Sequence, residues 1–272
     1  MENITLAALQ MVSGPDVDAN LKTVERLVGQ ASTQGARLLL LPEYFCLMGS
    51  SDRDKLFIAE QPGKGPIQQF LADCARRYGV VLVGGTVPLV SPGKNRVYNS
   101  CLVYGPDGRR LARYDKIHLF GFQRDEEAYD ESATILPGRT PVVCDVPMTG
   151  GPPLRVGLSV CYDLRFPELY RQMAPMDLIV VPAAFTHTTG QAHWSLLLRA
   201  RAVENQCYVL AAGQGGKHPS GRCTWGQSMV VDPWGQVEAE LASGEGLVLG
   251  MLERARIRSV RQSLPALRHR VI

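Results

Sequence analysis

The first 87 residues alternate short apolar runs with amphipathic stretches, and that order restricts the chain to few folds. Ile4 to Met11 reads as a strand. Asp18-Ala19-Asn20 then opens a helix with Leu21, Val24, Leu27, Val28 and Ala31 on one face, closed by Gly35. Arg37 to Leu41 is the next strand. The loop Pro62-Gly63-Lys64-Gly65 leads to a helix opened by Pro66, with Ile67, Phe70, Leu71, Cys74, Ala75 and Tyr78 on its face and Gly79 as its stop. Val80 to Val87 is again a strand. Strands and helices in this order predict an α/β protein.

The pattern then changes. Val97 to Tyr104 and Arg110 to Asp115 flank Gly105-Pro106-Asp107-Gly108-Arg109, a hairpin turn. Phe120 to Gly138 is charged and poorly periodic, and a strand follows near Val142. Later strands are expected at Leu178–Val181, Cys207–Ala212, Gln227–Val231 and Leu247–Leu252, with a helix near His193–Asn205 and a hairpin turn at Asp232-Pro233-Trp234-Gly235. Hairpins among the alternating units argue for a mixed sheet or sheets. Gly150-Gly151-Pro152-Pro153 is the best candidate break, but it sits just before an apolar run and reads as a loop. The expectation is one domain over residues 1–272.

Composition excludes several partner classes. A net charge of +3 gives no reason to expect nucleic acid or a membrane. Arg254, Arg256, Arg258, Arg261, Arg268 and Arg270 make the end locally basic, but apolar residues and Pro265 interrupt them, which suits a surface or subunit contact. Met1-Glu2-Asn3-Ile4 has no basic leader character. The longest apolar stretch, Leu178 to Phe185, falls far short of the roughly 20 residues a membrane helix needs. The 7 cysteines are odd in number and scattered without a Cys-x-x-Cys, so neither a disulfide framework nor a zinc site is expected. These features predict a cytoplasmic protein.

The chemistry centres on Cys161. It ends the apolar run Leu154 to Val160 and is followed by Tyr162-Asp163-Leu164-Arg165-Phe166-Pro167-Glu168, which reads as a strand, a sharp turn and a helix. A thiol at such a corner is pushed out of the sheet, toward backbone N–H groups of the turn. Glu43 stands after the run Leu38 to Pro42, and Lys116 after Arg113-Tyr114-Asp115. Singly, each has an ordinary explanation: a buried apolar thiol, a helix cap, a solvated lysine. Spacing alone leaves the two kinds of reading evenly matched. Together, a thiol, a carboxylate and an ammonium at three strand ends suit acyl transfer. The ammonium would favour the thiolate and, with the Tyr162 N–H, hold an oxyanion; the carboxylate would move protons. No metal or organic cofactor is required.

Rival motifs are weaker. Gly157-Leu158-Ser159-Val160-Cys161 is not Gly-x-Ser-x-Gly, and alternation puts Ser159 inside the strand. A Cys–His pair would need His187, His193, His218 or His269, none in a distinctive setting. Gly213-Gln214-Gly215-Gly216 and Gly63-Lys64-Gly65 lack the spacing of phosphate loops.

Three segments resemble those of the nitrilase superfamily of carbon–nitrogen hydrolases: Leu41-Pro42-Glu43, Tyr114-Asp115-Lys116-Ile117-His118-Leu119-Phe120, and Val160-Cys161-Tyr162-Asp163-Leu164-Arg165-Phe166-Pro167-Glu168. The resemblance extends over essentially the whole chain. It implies an α-β-β-α sandwich, a Glu43–Lys116–Cys161 triad, and a homodimer or higher oligomer. It also implies a second, supporting glutamate, matched best by Glu131 with Glu126 and Glu127 nearby. The segment from Cys161 to Glu168, with Thr189-Gly190 to Trp194 and Gly226 to Gly235, is similar to the branch related to mammalian Nit proteins, which are amidases. Gly216-Lys217-His218 and Gly221-Arg222 look more like the deaminated-glutathione amidase group than the ω-amidase group, while Gln227 stands where that group's histidine is expected. The implied activity is hydrolysis of a small-molecule linear amide to a carboxylic acid and ammonia through a cysteine thioester, with deaminated glutathione favoured. ω-Amidase action on 2-oxo acid amides and N-carbamoyl amide hydrolysis are the enzymatic alternatives. A catalytically retired binding protein is the non-enzymatic one.

Overall fold

A computed structural model describes residues 3–93, 95–124, 127–148 and 151–271, apart from the side chains of Arg124 and Glu127. The first part of the chain runs β1 (Asn3–Gln10), α1 (Val17–Thr33), β2 (Leu38–Leu40), the short α2 (Asp54–Phe57), α3 (Pro66–Tyr78) and β3 (Val81–Val83). There follow β4 (Val87–Val90), β5 (Val97–Tyr104), β6 (Arg110–Asp115) and the hairpin of β7 (Gly121–Arg124) and β8 (Glu127–Asp130). The remainder is β9 (Val142–Val146), β10 (Leu154–Leu158), α4 (Pro167–Met173), β11 (Leu178–Ala183), α5 (His187–Asn205), β12 (Tyr208–Gly213), β13 (Ser228–Val231), β14 (Val237–Leu241), β15 (Gly246–Glu253) and α6 (Arg254–Ser263).

Two mixed sheets result. One has seven strands in the order β15-β1-β2-β3-β5-β4 with β6 beside β5; the other has six, β14-β13-β12-β11-β10-β9. The inner strands β1, β2, β3, β11 and β12 bury both faces. In β1, Ile4, Leu6 and Ala8 join the core shared with the second sheet, while Ala7 and Leu9 join the core under α1 and α3. Leu38 and Leu40 against Leu39, and Val81 and Val83 against Leu82, repeat that division. On the outer side of the second sheet, Trp194, Leu198 and Ala202 of α5 and Leu169, Tyr170 and Met173 of α4 complete the fourth layer. This is the α-β-β-α sandwich expected from the resemblance.

Several expectations need amendment. The run from Val80 to Val87 is two strands, because the chain turns at Gly84-Gly85. Gly85 has φ +46°, and a Cβ there would stand 2.1 Å from the Pro42 carbonyl oxygen, so this turn packs on the residue before Glu43. The stretch after Phe120 contains the β7–β8 hairpin, whose strands are too short to show a period. The expected helix near His193 begins six residues earlier, at His187, where Thr186 accepts a hydrogen bond from the Thr189 N–H as its cap. β14 and α6 were not anticipated. β14 alternates half-buried with exposed positions, and α6 buries Ile257 and Val260 beneath its arginines. Among the described residues no helix is long and apolar enough to cross a membrane.

Candidate active site

The ends of β2, β6, β10 and β11 meet at one end of the sandwich. Glu43 is 1% exposed. Its Oε1 accepts hydrogen bonds from Lys116 Nζ and Asn99 Nδ2, each at 2.9 Å. Its Oε2 accepts from the Ala184 N–H, just past β11, at 3.1 Å. The Gln214 side chain donates to the Glu43 carbonyl oxygen at 3.0 Å and fixes the corner. Tyr44, the next residue, has φ +57°, a left-handed conformation uncommon outside glycine.

Lys116 leaves β6 directly and is fully buried. Beyond Glu43, it donates to Glu131 Oε1 at 2.9 Å and Oε2 at 2.7 Å. Burial works against the ammonium, but Glu131 and Glu43 outweigh it and hold its pKa above the usual lysine range. Glu131 opens a single 3₁₀ turn and accepts further bonds from the Tyr44 hydroxyl at 2.8 Å and the Phe120 N–H at 2.7 Å. Burial raises this carboxyl, and Lys116 more than reverses that, leaving it below its ordinary value. The other candidates for the second glutamate are Glu126, outside the described residues, and Glu127, whose side chain is too.

Cys161 begins a 3₁₀ turn, not an α-helix; α4 starts at Pro167, after Phe166. Its φ is +50°, so this corner too holds a non-glycine residue in the left-handed region. Such a conformation costs about 1–3 kcal/mol and persists only where its surroundings enforce it. Asp163 provides the enforcement. Fully buried, it accepts from the Val160 N–H at 2.8 Å, the Tyr114 hydroxyl at 2.7 Å, the His118 N–H at 3.0 Å and His118 Nδ1 at 2.7 Å. One carboxylate therefore ties the Cys161 turn to the strand and loop on either side of Lys116. The His118 ring stacks on Phe166 at 3.7 Å.

The thiol differs from expectation. Burial, then Glu43, pushes the Cys161 pKa well above the ordinary thiol value; Lys116 and the neighbouring Ala184 N–H pull it back only in part. The ammonium does favour the thiolate, as the sequence suggested, but burial and Glu43 outweigh it. Cys161 lines a small pocket with Phe120, Tyr162, Arg165, Ala184, Phe185, Thr186 and Thr189. Tyr162, whose N–H was expected to face the reacting carbonyl, sits in the first turn after the sulfur, its ring edge-on to Phe120 and Phe166.

Asn99, Tyr44, Asp163 and Gln214 escaped the sequence reading. Asp163 stands inside the Cys161 motif, which was the one available signal; Asn99 lies mid-strand with no local mark. The rival readings find no support in the geometry. Ser159 is buried and donates to the Val180 carbonyl at 3.0 Å. His218 is buried between the Ser13 carbonyl and the Thr224 hydroxyl. At Gly63-Lys64-Gly65, Glu60 already accepts the N–H groups of Ile67 and Gln68 that a phosphate would need.

The carbon-nitrogen hydrolase family model matches residues 5–262. A deaminated glutathione amidase of Synechocystis is 41% identical over 276 residues, covering 100% of this chain and 99% of that protein. The human omega-amidase NIT2 is 36% identical over 273 residues, covering 99% of this chain and 96% of that protein. Among solved structures, Saccharomyces cerevisiae Nit3, described as a member of branch 10 of the nitrilase superfamily, superposes with a TM-score of 0.88 at 32% identity, covering 100% of this chain and 97% of that one.

Proposed function

The chain belongs to the carbon–nitrogen hydrolase family and is an amide hydrolase, and from that premise we propose that it cleaves deaminated glutathione through a Glu43–Lys116–Cys161 triad. The observation that carries the reading is the shared lysine: one buried ammonium held by two carboxylates, with the Cys161 thiol close enough to feel both charges.

Cys161 Sγ attacks the amide carbonyl carbon as its proton passes to Glu43. Lys116 Nζ and the Tyr162 N–H hold the oxyanion, each donor contributing about 3–4 kcal/mol by analogy with known oxyanion holes. Glu43 returns the proton to the amide nitrogen, the C–N bond breaks, and the acyl group remains on sulfur as a thioester. Water then adds, giving its proton to Glu43; the C–S bond breaks and the thiol recovers that proton. With a primary amide the amine released is ammonia. With deaminated glutathione, whose amide nitrogen belongs to cysteinylglycine, it is that dipeptide. Glu131 keeps Lys116 charged and aimed.

Arg165 suits the carboxylate of the acyl half. It lines the thiol pocket four residues after Cys161, its guanidinium lies 5.7 Å from the Tyr162 ring and 5.5 Å from that of Phe185, and no ion pair engages it among the described residues. An assembly of two or more copies is supported by Leu196 and Val203 on α5, 66% and 49% exposed, and by Trp234 at 56%. The seven unpaired cysteines suit the cytoplasm.

The test is turnover of deaminated glutathione, 2-oxoglutaramate, an N-carbamoyl amino acid and a simple aliphatic amide, read as acid formed, with Cys161→Ala as the blank. Preference for deaminated glutathione supports the reading. Preference for 2-oxoglutaramate transfers it to ω-amidase action. Full activity in Cys161→Ala contradicts the mechanism.

A further inference from the structure

One aromatic ring out from the pocket wall stands a guanidinium with no acid partner among the described residues. The Arg222 guanidinium lies 5.0 Å from the centroid of the Tyr129 ring. Tyr129 packs on Phe120 with ring centroids 5.6 Å apart, and Phe120 lines the thiol pocket. Nε of Arg222 is buried with no hydrogen-bond partner, and among the described residues the side chain pairs with no carboxylate. An unmatched buried donor on a charged group is costly, and such groups concentrate where a ligand supplies the partner.

The arm that carries Arg222 is fixed. Its carbonyl oxygen accepts from the His218 N–H at 2.9 Å. Lys217 pairs with Cys223 across the turn, and Thr224 pairs with Thr186, itself part of the pocket lining. His218 braces the base of the arm through Ser13 and Thr224. The other cation on this side differs. Lys55 sits over the Tyr44 ring, donates to the Thr134 hydroxyl at 3.3 Å and lies 3.9 Å from Asp52. Arg222 also weakens the proton affinity of the Tyr44 phenolate, so its field reaches the ring whose hydroxyl binds Glu131.

We propose that Arg222 is a second anion-binding group of this active site, receiving a carboxylate on the amine half of the substrate. The inference rests on the amidase reading above and narrows its substrate class to amides whose leaving amine is a short peptide acid. The acyl half must enter the small pocket because its carbonyl carbon bonds to sulfur, so the amine half leads outward. An extended residue spans at most about 3.5 Å, which puts a dipeptide's terminal carboxylate about 7 Å beyond the scissile nitrogen. Arg222 stands one ring beyond Phe120, outside the pocket lining.

The experiment compares deaminated glutathione with the same molecule carrying a C-terminal carboxamide, in wild type, Arg222→Gln and Arg222→Lys, with 2-oxoglutaramate as control. Wild type is expected to show a KM at least tenfold lower for the free acid. Arg222→Gln should raise the free-acid KM about 10- to 100-fold, with kcat within twofold and the carboxamide KM moving less than twofold; Arg222→Lys should recover part of the loss. Equal KM values for the two forms in wild type, or a rise in Arg222→Gln common to both, would overturn the assignment and leave the amidase reading intact. Turnover of 2-oxoglutaramate but of neither dipeptide form would overturn the substrate reading and this inference together.

Discussion

At the scale of single residues, the site separates charge storage from nucleophilicity. In the proposed mechanism Lys116 is the permanent charge, Glu43 the proton acceptor and Cys161 the nucleophile. That division predicts the behaviour of Glu43→Gln. The amide keeps the size and the Asn99 contact can be re-formed, but the proton acceptor is gone. The value of kcat/KM should fall about 10²- to 10⁴-fold, with a melting temperature within a few degrees of wild type by calorimetry. Labelling follows the same reasoning. Cys223 is the one exposed thiol and the other six are buried, so a bulky maleimide should modify Cys223 first. In Cys223→Ser, a small amide-bearing alkylator such as iodoacetamide should still label one site, and the further change Cys161→Ala should abolish that labelling.

At the scale of elements, the decisive feature is how corners are held. Tyr44 and Cys161 adopt left-handed backbone without being glycine, and each corner is tied to a polar side chain distant in sequence: Thr86 Oγ1 accepts from the Tyr44 N–H at 3.0 Å, and Asp163, within the Cys161 turn, accepts from the Tyr114 hydroxyl, 49 residues away. Asp163→Asn replaces an acceptor-only group with one that cannot satisfy all four donors. It should cost about 1–3 kcal/mol of stability and lower kcat more than it raises KM, as urea unfolding and steady-state kinetics would show. These ties also mark the limit of what the sequence made legible. The strand ends were readable because apolar runs terminated at Glu43 and Cys161 and because Lys116 closes the second arm of the hairpin whose turn, Gly105 to Arg109, has diagnostic residues. Asn99 and Asp163 were not, since the role of a buried polar side chain is defined by partners brought from other strands. The β7–β8 hairpin and β14 were missed for another reason: four or five residues with mixed exposure carry too little periodicity.

At the scale of the whole molecule, two sheets packed face to face bring four strand ends into one buried charge cluster, and stability should depend on that cluster. Glu131 has a native pKa below its unfolded value. Its contribution is therefore complete above the ordinary glutamate range, about 4.3, and is lost as pH falls through the native value. Lys116 is raised, so its share is complete below about pH 10.4 and is lost only as pH rises through the native value. Lys116→Met would leave Glu43 and Glu131 buried without a counter-ion, costing about 3–5 kcal/mol at pH 7. That deficit should shrink toward pH 4 as the carboxyls take up protons, measurable by chemical denaturation across the range. A deficit independent of pH would mean that lost packing, not charge, dominates.

The most direct measurement is peptide mass spectrometry on enzyme acid-quenched during turnover of deaminated glutathione. The account predicts a 2-oxoglutaryl increment on the peptide bearing Cys161, absent from Cys161→Ala, which should also be inactive. Turnover in Cys161→Ala, or an acyl increment on any other residue, would contradict it.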